Sequence, residues 1–170
     1  MDTLIANATT HAAVFVDLCG YTRITEELGD LAAARISVTL RAIAHDVAAR
    51  HHGRVVKMLG DGAHLHFADP RDAVPAAIEL VDRVLAAGLP CARAGVNAGP
   101  MVEADGDFYG IAVNIAARLV QRARPGEVLV GEIAAARSDR ASVRFDAIGA
   151  APLRGLTLPV ASYRAVAVCR

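Results

Sequence analysis

The chain has 170 residues, 54 % of them hydrophobic, 21 % charged and 4 % aromatic, and its 18 basic residues balance its 18 acidic ones. A neutral chain without a Lys/Arg tract is poorly suited to sequence-independent nucleic-acid binding, and no apolar run approaches the roughly 20 residues of a membrane span. The start, MDTLIANATT, lacks the basic lead and apolar core of a signal peptide, and Cys19, Cys91 and Cys169 are an odd, scattered set without ligand spacing, so the expected setting is a reduced cytoplasm.

The first element is Ala12 to Leu18, a continuous apolar run typical of a buried strand. Cys19-Gly20 turns the chain into a short helix that ends at Gly29. Asp30 is the expected N-cap of a long helix reaching His51-His52, with Gly53 as its stop. Arg54–Leu59 and Ala63–Phe67 form a hairpin around Gly60-Asp61-Gly62. Asp69-Pro70 opens a second long helix that runs to Ala87 and stops at Gly88. Arg93–Ala98 and Met101–Ala104 are strands around Gly99-Pro100, and the loop Asp105-Gly106-Asp107 leads into a third helix, Gly110–Ala123. Glu127–Val130, Val143–Ile148 and Val160–Val168 supply the last strands. No linker or repeat divides this series, so the expectation is one domain over 1–170, with its core at about 12–168. The mixture of hairpins and helices fits an α+β fold with a ferredoxin-like core better than a doubly wound parallel sheet. Glycine-rich dinucleotide and Walker loops are missing.

Several residues break the chain's habits. Asp17 ends a buried strand, where a carboxylate is costly unless it is paired, bound to metal or capping the next turn. Asp61 sits at a hairpin tip, where Asp-Gly is ordinary turn chemistry. If that hairpin lies beside the first strand, the two carboxylates converge with nothing basic between them, a way to hold Mg²⁺ or Mn²⁺ against phosphates. Every basic residue except Lys57 is Arg. Lys57 stands ~13 Å from Asp61 along the strand, too far to neutralise it. Asn114 and Arg118, four apart, share a face of the third helix, whose apolar neighbours suggest burial around much of its circumference. His64 and His66 alternate on one strand face without an evident third metal ligand. His51 and His52 close a helix, where an imidazole suits the dipole.

Together, FVDLCGYT, GRVVKMLGDGAHLHF and ADGDFYGIAVNIAARL resemble the class III nucleotidyl cyclase catalytic domain, in that family's order and spacing over Ala12 to Val168. The resemblance implies that Asp17 and Asp61 are the two metal aspartates, with the Leu18 carbonyl as a further ligand and two Mg²⁺ or Mn²⁺ ions per site. It implies that Lys57 and Asp107 read the adenine of ATP, that Asn114 positions the ribose and that Arg118 stabilises the transition state. Arg154 falls where the family often has a triphosphate-binding lysine, and Tyr21 where Phe is commoner. The implied assembly is a head-to-tail homodimer with composite sites, and the implied activity is adenylate cyclase in a stand-alone, cytoplasmic form, without membrane or nucleic-acid partners. A guanylate cyclase would have to bypass Lys57 and Asp107. A nucleotide-binding regulatory module without turnover is the other alternative, and a diguanylate cyclase or polymerase palm lacks support because LGDGAH has no GGDEF-type acidic pattern.

Overall fold

Strand β1 (Thr10–Leu18) serves two cores at once, because successive side chains of a strand point to opposite faces. Ala12, Val14, Val16 and Leu18 face one core, and Ala13 and Phe15 face the other. The computed structural model describes residues 9–168, so Cys169 and the stretch from Met1 to Ala8 lie outside the described residues.

The remaining elements are α1 (Tyr21–Leu28), α2 (Asp30–Arg50), β2 (Gly53–Met58), β3 (Gly62–Phe67), α3 (Pro70–Ala86), β4 (Ala92–Pro100), β5 (Val102–Ala104), β6 (Asp107–Tyr109), α4 (Ile111–Arg122), β7 (Val128–Gly131), α5 (Glu132–Arg137), β8 (Val143–Ala151) and β9 (Val160–Ala167). One sheet has the order β2-β3-β1-β4-β7-β9-β8, antiparallel throughout except at β4–β7. Its first four strands with α2 and α3 form the expected ferredoxin-like unit. Helices α2 and α3 pack on the face that carries Val14, Leu65 and Phe67, and bury Leu40, Val47, Leu80 and Val84 there. Full burial of each such Val, Leu or Phe stabilises by about 1.5–3 kcal/mol. Helix α4 covers the opposite face through Ala112, Val113 and Ala116, beside Phe108 of β6.

Helix α4 approaches β4 with no side chain between them at Gly95. A Cβ there would lie 2.3 Å from the Val120 nitrogen and 2.4 Å from the Ala116 oxygen.

Four expectations need correction. Asp30 is the first helical residue of α2, and Gly29, at φ 80°, occupies the cap. The 105–107 loop is the tip of a second hairpin, β5–β6, in which Asp105 (φ 52°) and Gly106 (φ 76°) both take the left-handed conformation of a tight two-residue turn. Its three-residue strands are too short to show alternation. Helix α5, six residues of GEIAAARS, carries no side-chain cap and was not anticipated. Cys19 and Cys91, far apart in sequence, are neighbours across the ends of β1 and β4, where the Cys19 N–H donates to the Cys91 carbonyl at 2.8 Å.

Candidate active site

The pairing of β1 with β3 sets Asp17 opposite Gly62, directly beside Asp61. The Leu18 peptide lies at the same place, its N–H donating to the Asp61 carbonyl at 3.0 Å. Gly62 permits this approach, since a Cβ on it would meet the Val16 carbonyl oxygen at 2.4 Å. Burial raises the Asp61 pKa above the usual carboxylate range, and the Asp17 charge pushes it the same way. The two carboxylates therefore share one electrostatic environment.

A cation flanks the pair on its β4 side. Arg93 of β4, the direct cross-strand neighbour of Asp17, donates from Nε at 3.0 Å and from Nη2 at 2.7 Å, both to Oδ2. Its Nη1 donates to the carbonyls of Gln121 and Ala123 at the end of α4. Arg93 thus supplies the positive charge that the Asp17–Asp61 pair calls for. The carboxylate oxygens are hard donors suited to a divalent cation, and the structure has no group of three or more His, Cys, Asp or Glu with metal-site geometry among the described residues. A metal here would take its remaining ligands from the Leu18 peptide, from water and from a phosphate-bearing ligand. Such an ion must compete with Arg93. Arg93→Gln should therefore bind Mn²⁺ several-fold more tightly, read by electron paramagnetic resonance titration of the protein without nucleotide. Unchanged or weaker binding would remove Arg93 from this role.

A second polar constellation lies two register positions below Asp17. Lys57 pairs across β2–β3 with His64, and His64 pairs across β3–β1 with Phe15. Lys57 Nζ donates to Asp107 Oδ2 at 2.5 Å, while the Phe108 N–H donates to Asp107 Oδ1 at 2.8 Å. The ammonium holds the Asp107 carboxyl below the usual carboxylate range. The Lys57 side chain is 46 % exposed, so its head can reorient towards a ligand. As expected, Lys57 makes no pair with Asp61. Among the described residues, its recorded partner is Asp107.

Asn114 and Arg118 do share a face of α4, but Asn114 is exposed and Arg118 half-buried rather than enclosed. The apolar neighbours Ala112, Val113, Ala116, Leu119 and Val120 are the buried ones, so neither polar residue is enclosed in the core. Arg118 Nε donates to the Arg154 carbonyl at 3.2 Å. Leu153, 4 % exposed among Leu119, Ala123 and Leu129, pins this segment between β8 and β9 to α4. Arg118 and the Arg154 backbone are brought together in this way.

The two strand histidines part company. His66 Nε2 lies 2.6 Å from His11 Nδ1 and its ring stacks on Phe108, whereas His64 stacks on Phe15 with centroids 4.3 Å apart. His51 Nε2 meets Glu79 Oε2 at 2.7 Å, away from these groups. Sequence reasoning did not single out Arg93. Its signal was positional, since only the β1–β4 register shows that it faces Asp17. Tyr21 turns its hydroxyl away to the Ala33 carbonyl, at 3.0 Å.

No family model matches the chain. A pH-sensitive adenylate cyclase of Mycobacterium tuberculosis is 36 % identical over 144 residues, covering 81 % of this chain and 32 % of that protein. The chain spans 39 % of the length of the first three curated relatives it matches. Among solved structures, an adenylate/guanylate cyclase/hydrolase from Silicibacter pomeroyi superposes with a TM-score of 0.78 at 29 % identity, over 92 % of this chain and 96 % of that one. The adenylyl cyclase CyaB from P. aeruginosa shares the fold, with a TM-score of 0.83 at 22 % identity over 95 % of both chains.

Proposed function

Because the chain belongs to the class III nucleotidyl cyclase family, we propose that it converts ATP to 3′,5′-cyclic AMP and pyrophosphate, at sites shared between two head-to-tail copies. The observation that carries the substrate choice is the Lys57–Asp107 pair. A donor and an acceptor presented side by side complement adenine, with the ammonium facing N1 and the carboxylate accepting from the 6-amino group. Guanine offers the reverse pattern and would leave both partners unpaired, a costly mismatch in a closed site.

Each side chain has a task in this reading. Asp17 and Asp61 hold two Mg²⁺ or Mn²⁺ ions, with the Leu18 carbonyl beside them. When bound, those cations supply charge at the phosphates and acidify the ribose 3′-hydroxyl. Asn114 fixes the sugar so that the 3′-oxygen stands in line with the α-phosphate. Arg118 offsets the negative charge that builds there, and Arg154 holds the outer phosphates. Within one chain, Asp17 faces Arg93, while Arg118 faces the loop that carries Arg154. The division of the two sets between copies, with each site completed around a two-fold axis, follows from the family resemblance. ATP as substrate fits a cytoplasmic setting, and no described helix is long and apolar enough to cross a membrane.

The deciding experiment incubates purified protein with ATP or GTP and with Mg²⁺ or Mn²⁺, followed by chromatography of the products. Cyclic AMP with equimolar pyrophosphate from ATP is the expected result. Cyclic GMP as the main product would overturn the base assignment, and no product from either nucleotide would overturn the activity.

A further inference from the structure

His64 is the one polar side chain in the described structure that is almost fully enclosed and has both ring nitrogens unpartnered. It is 1 % exposed, and neither Nδ1 nor Nε2 has a hydrogen-bond partner. A leucine or phenylalanine could fill the same space against Phe15 without leaving polar atoms unmet, so the imidazole is not explained by packing. Nδ1 lies 3.7 Å from Asp107 Oδ1, just beyond hydrogen-bond reach. Burial lowers its pKa to about 4, so the ring is neutral at physiological pH and has one N–H to give.

We propose that His64 is a positioning residue for base recognition, which donates from Nδ1 to Asp107 Oδ1 when Lys57 turns from Asp107 to the purine. The inference rests on the adenylate cyclase reading of the same site. In the structure, Asp107 is held by Lys57 on Oδ2 and by the Phe108 N–H on Oδ1. Adenine needs Oδ2 as a free acceptor and Lys57 as a free donor, so binding removes the strongest partner that Asp107 has. Closing a gap of less than 1 Å lets His64 replace part of that interaction from behind. The carboxylate then stays ionised and fixed in orientation, as an acceptor for the 6-amino group and a repellent for the guanine carbonyl. The tautomer required carries its proton on Nδ1. The stack on Phe15, with ring planes 7° apart, keeps the imidazole in the plane from which it can reach Asp107.

The test compares wild type, His64→Leu and His64→Asn by steady-state kinetics with ATP and GTP, and by equilibrium binding of fluorescent N-methylanthraniloyl ATP and GTP. His64→Leu keeps the volume and removes the donor, whereas His64→Asn keeps an N–H near the Nδ1 position. The expected result for His64→Leu is a rise in the KM for ATP of about tenfold with kcat changed by less than about threefold, and a similar fall in the ATP-over-GTP preference. His64→Asn should recover most of both. A His64→Leu protein that keeps its KM and purine preference would overturn the proposal, as would one whose kcat falls equally on both nucleotides. If wild type turns over neither nucleotide, the cyclase reading fails, and the binding ratios still decide the role of His64. No preference for the adenine probe, or no binding of either, would overturn it on its own terms.

Discussion

Replacing Asp17 or Asp61 with Ala should lower cyclase activity by about a thousandfold or more, measured as cyclic AMP formed from ATP at saturating Mn²⁺. The two carboxylates are side by side through the β1–β3 register, and burial and mutual repulsion make their ionised forms costly together. In the proposed site a divalent cation would relieve that cost, and removing either carboxylate would delete a hard ligand that neighbouring groups cannot replace. Asp17→Ala also strips Arg93 of its partner, so Asp17→Asn should accompany it as the milder variant. Circular dichroism and thermal unfolding establish that the fold survives. A folded Asp17→Asn or Asp61→Asn protein with more than a tenth of wild-type activity would remove the carboxylate pair from the reaction.

Arg118→Ala should lose activity by about a hundredfold or more, and yet it should restore activity to the still less active Asp17→Ala protein. If each site takes metal ligands from one copy and Arg118 from the other, every mixed dimer contains one intact site and one doubly damaged site. Random exchange makes half the dimers mixed, so the mixture should recover about a quarter of wild-type activity. Sites contained within single chains would recover nothing. The measurement is cyclic AMP formation after co-incubation, with subunit exchange confirmed by mass spectrometry of differently tagged chains. Full exchange without recovery would end the composite-site reading.

Local pattern carried much of the fold. The apolar run before Asp17, the Asp-Gly tip at 61–62 and the Asp69-Pro70 helix start are each set by chemistry within a few residues. At the last of these, the Asp69 side chain accepts from the Arg71 N–H as an N-cap should. The ferredoxin-like strand order followed from the element order. What stayed hidden depends on partners distant in sequence. Arg93 reads as an ordinary strand cation until β1 and β4 are aligned, and then it lies on Asp17. The His64 ring is as buried as its neighbours Ala63 and Leu65, so only the missing hydrogen bonds mark it. Helix α4 misled in the other direction. Its small apolar residues suggest burial around much of its circumference, whereas the sheet covers one side and leaves Asn114 exposed and Arg118 half-buried. Asp107 and Lys57 were expected to act together by resemblance, and β6, the element that brings them together, was not anticipated.

The bare contact at Gly95 has a mechanical consequence. With backbone resting on backbone at that point, α4 meets a hard stop against β4, while Ala112, Val113 and Ala116 fill the rest of the contact, so Arg118 is geared to the sheet that carries Asp17. A helix shift that would change the spacing of those two groups meets that stop first.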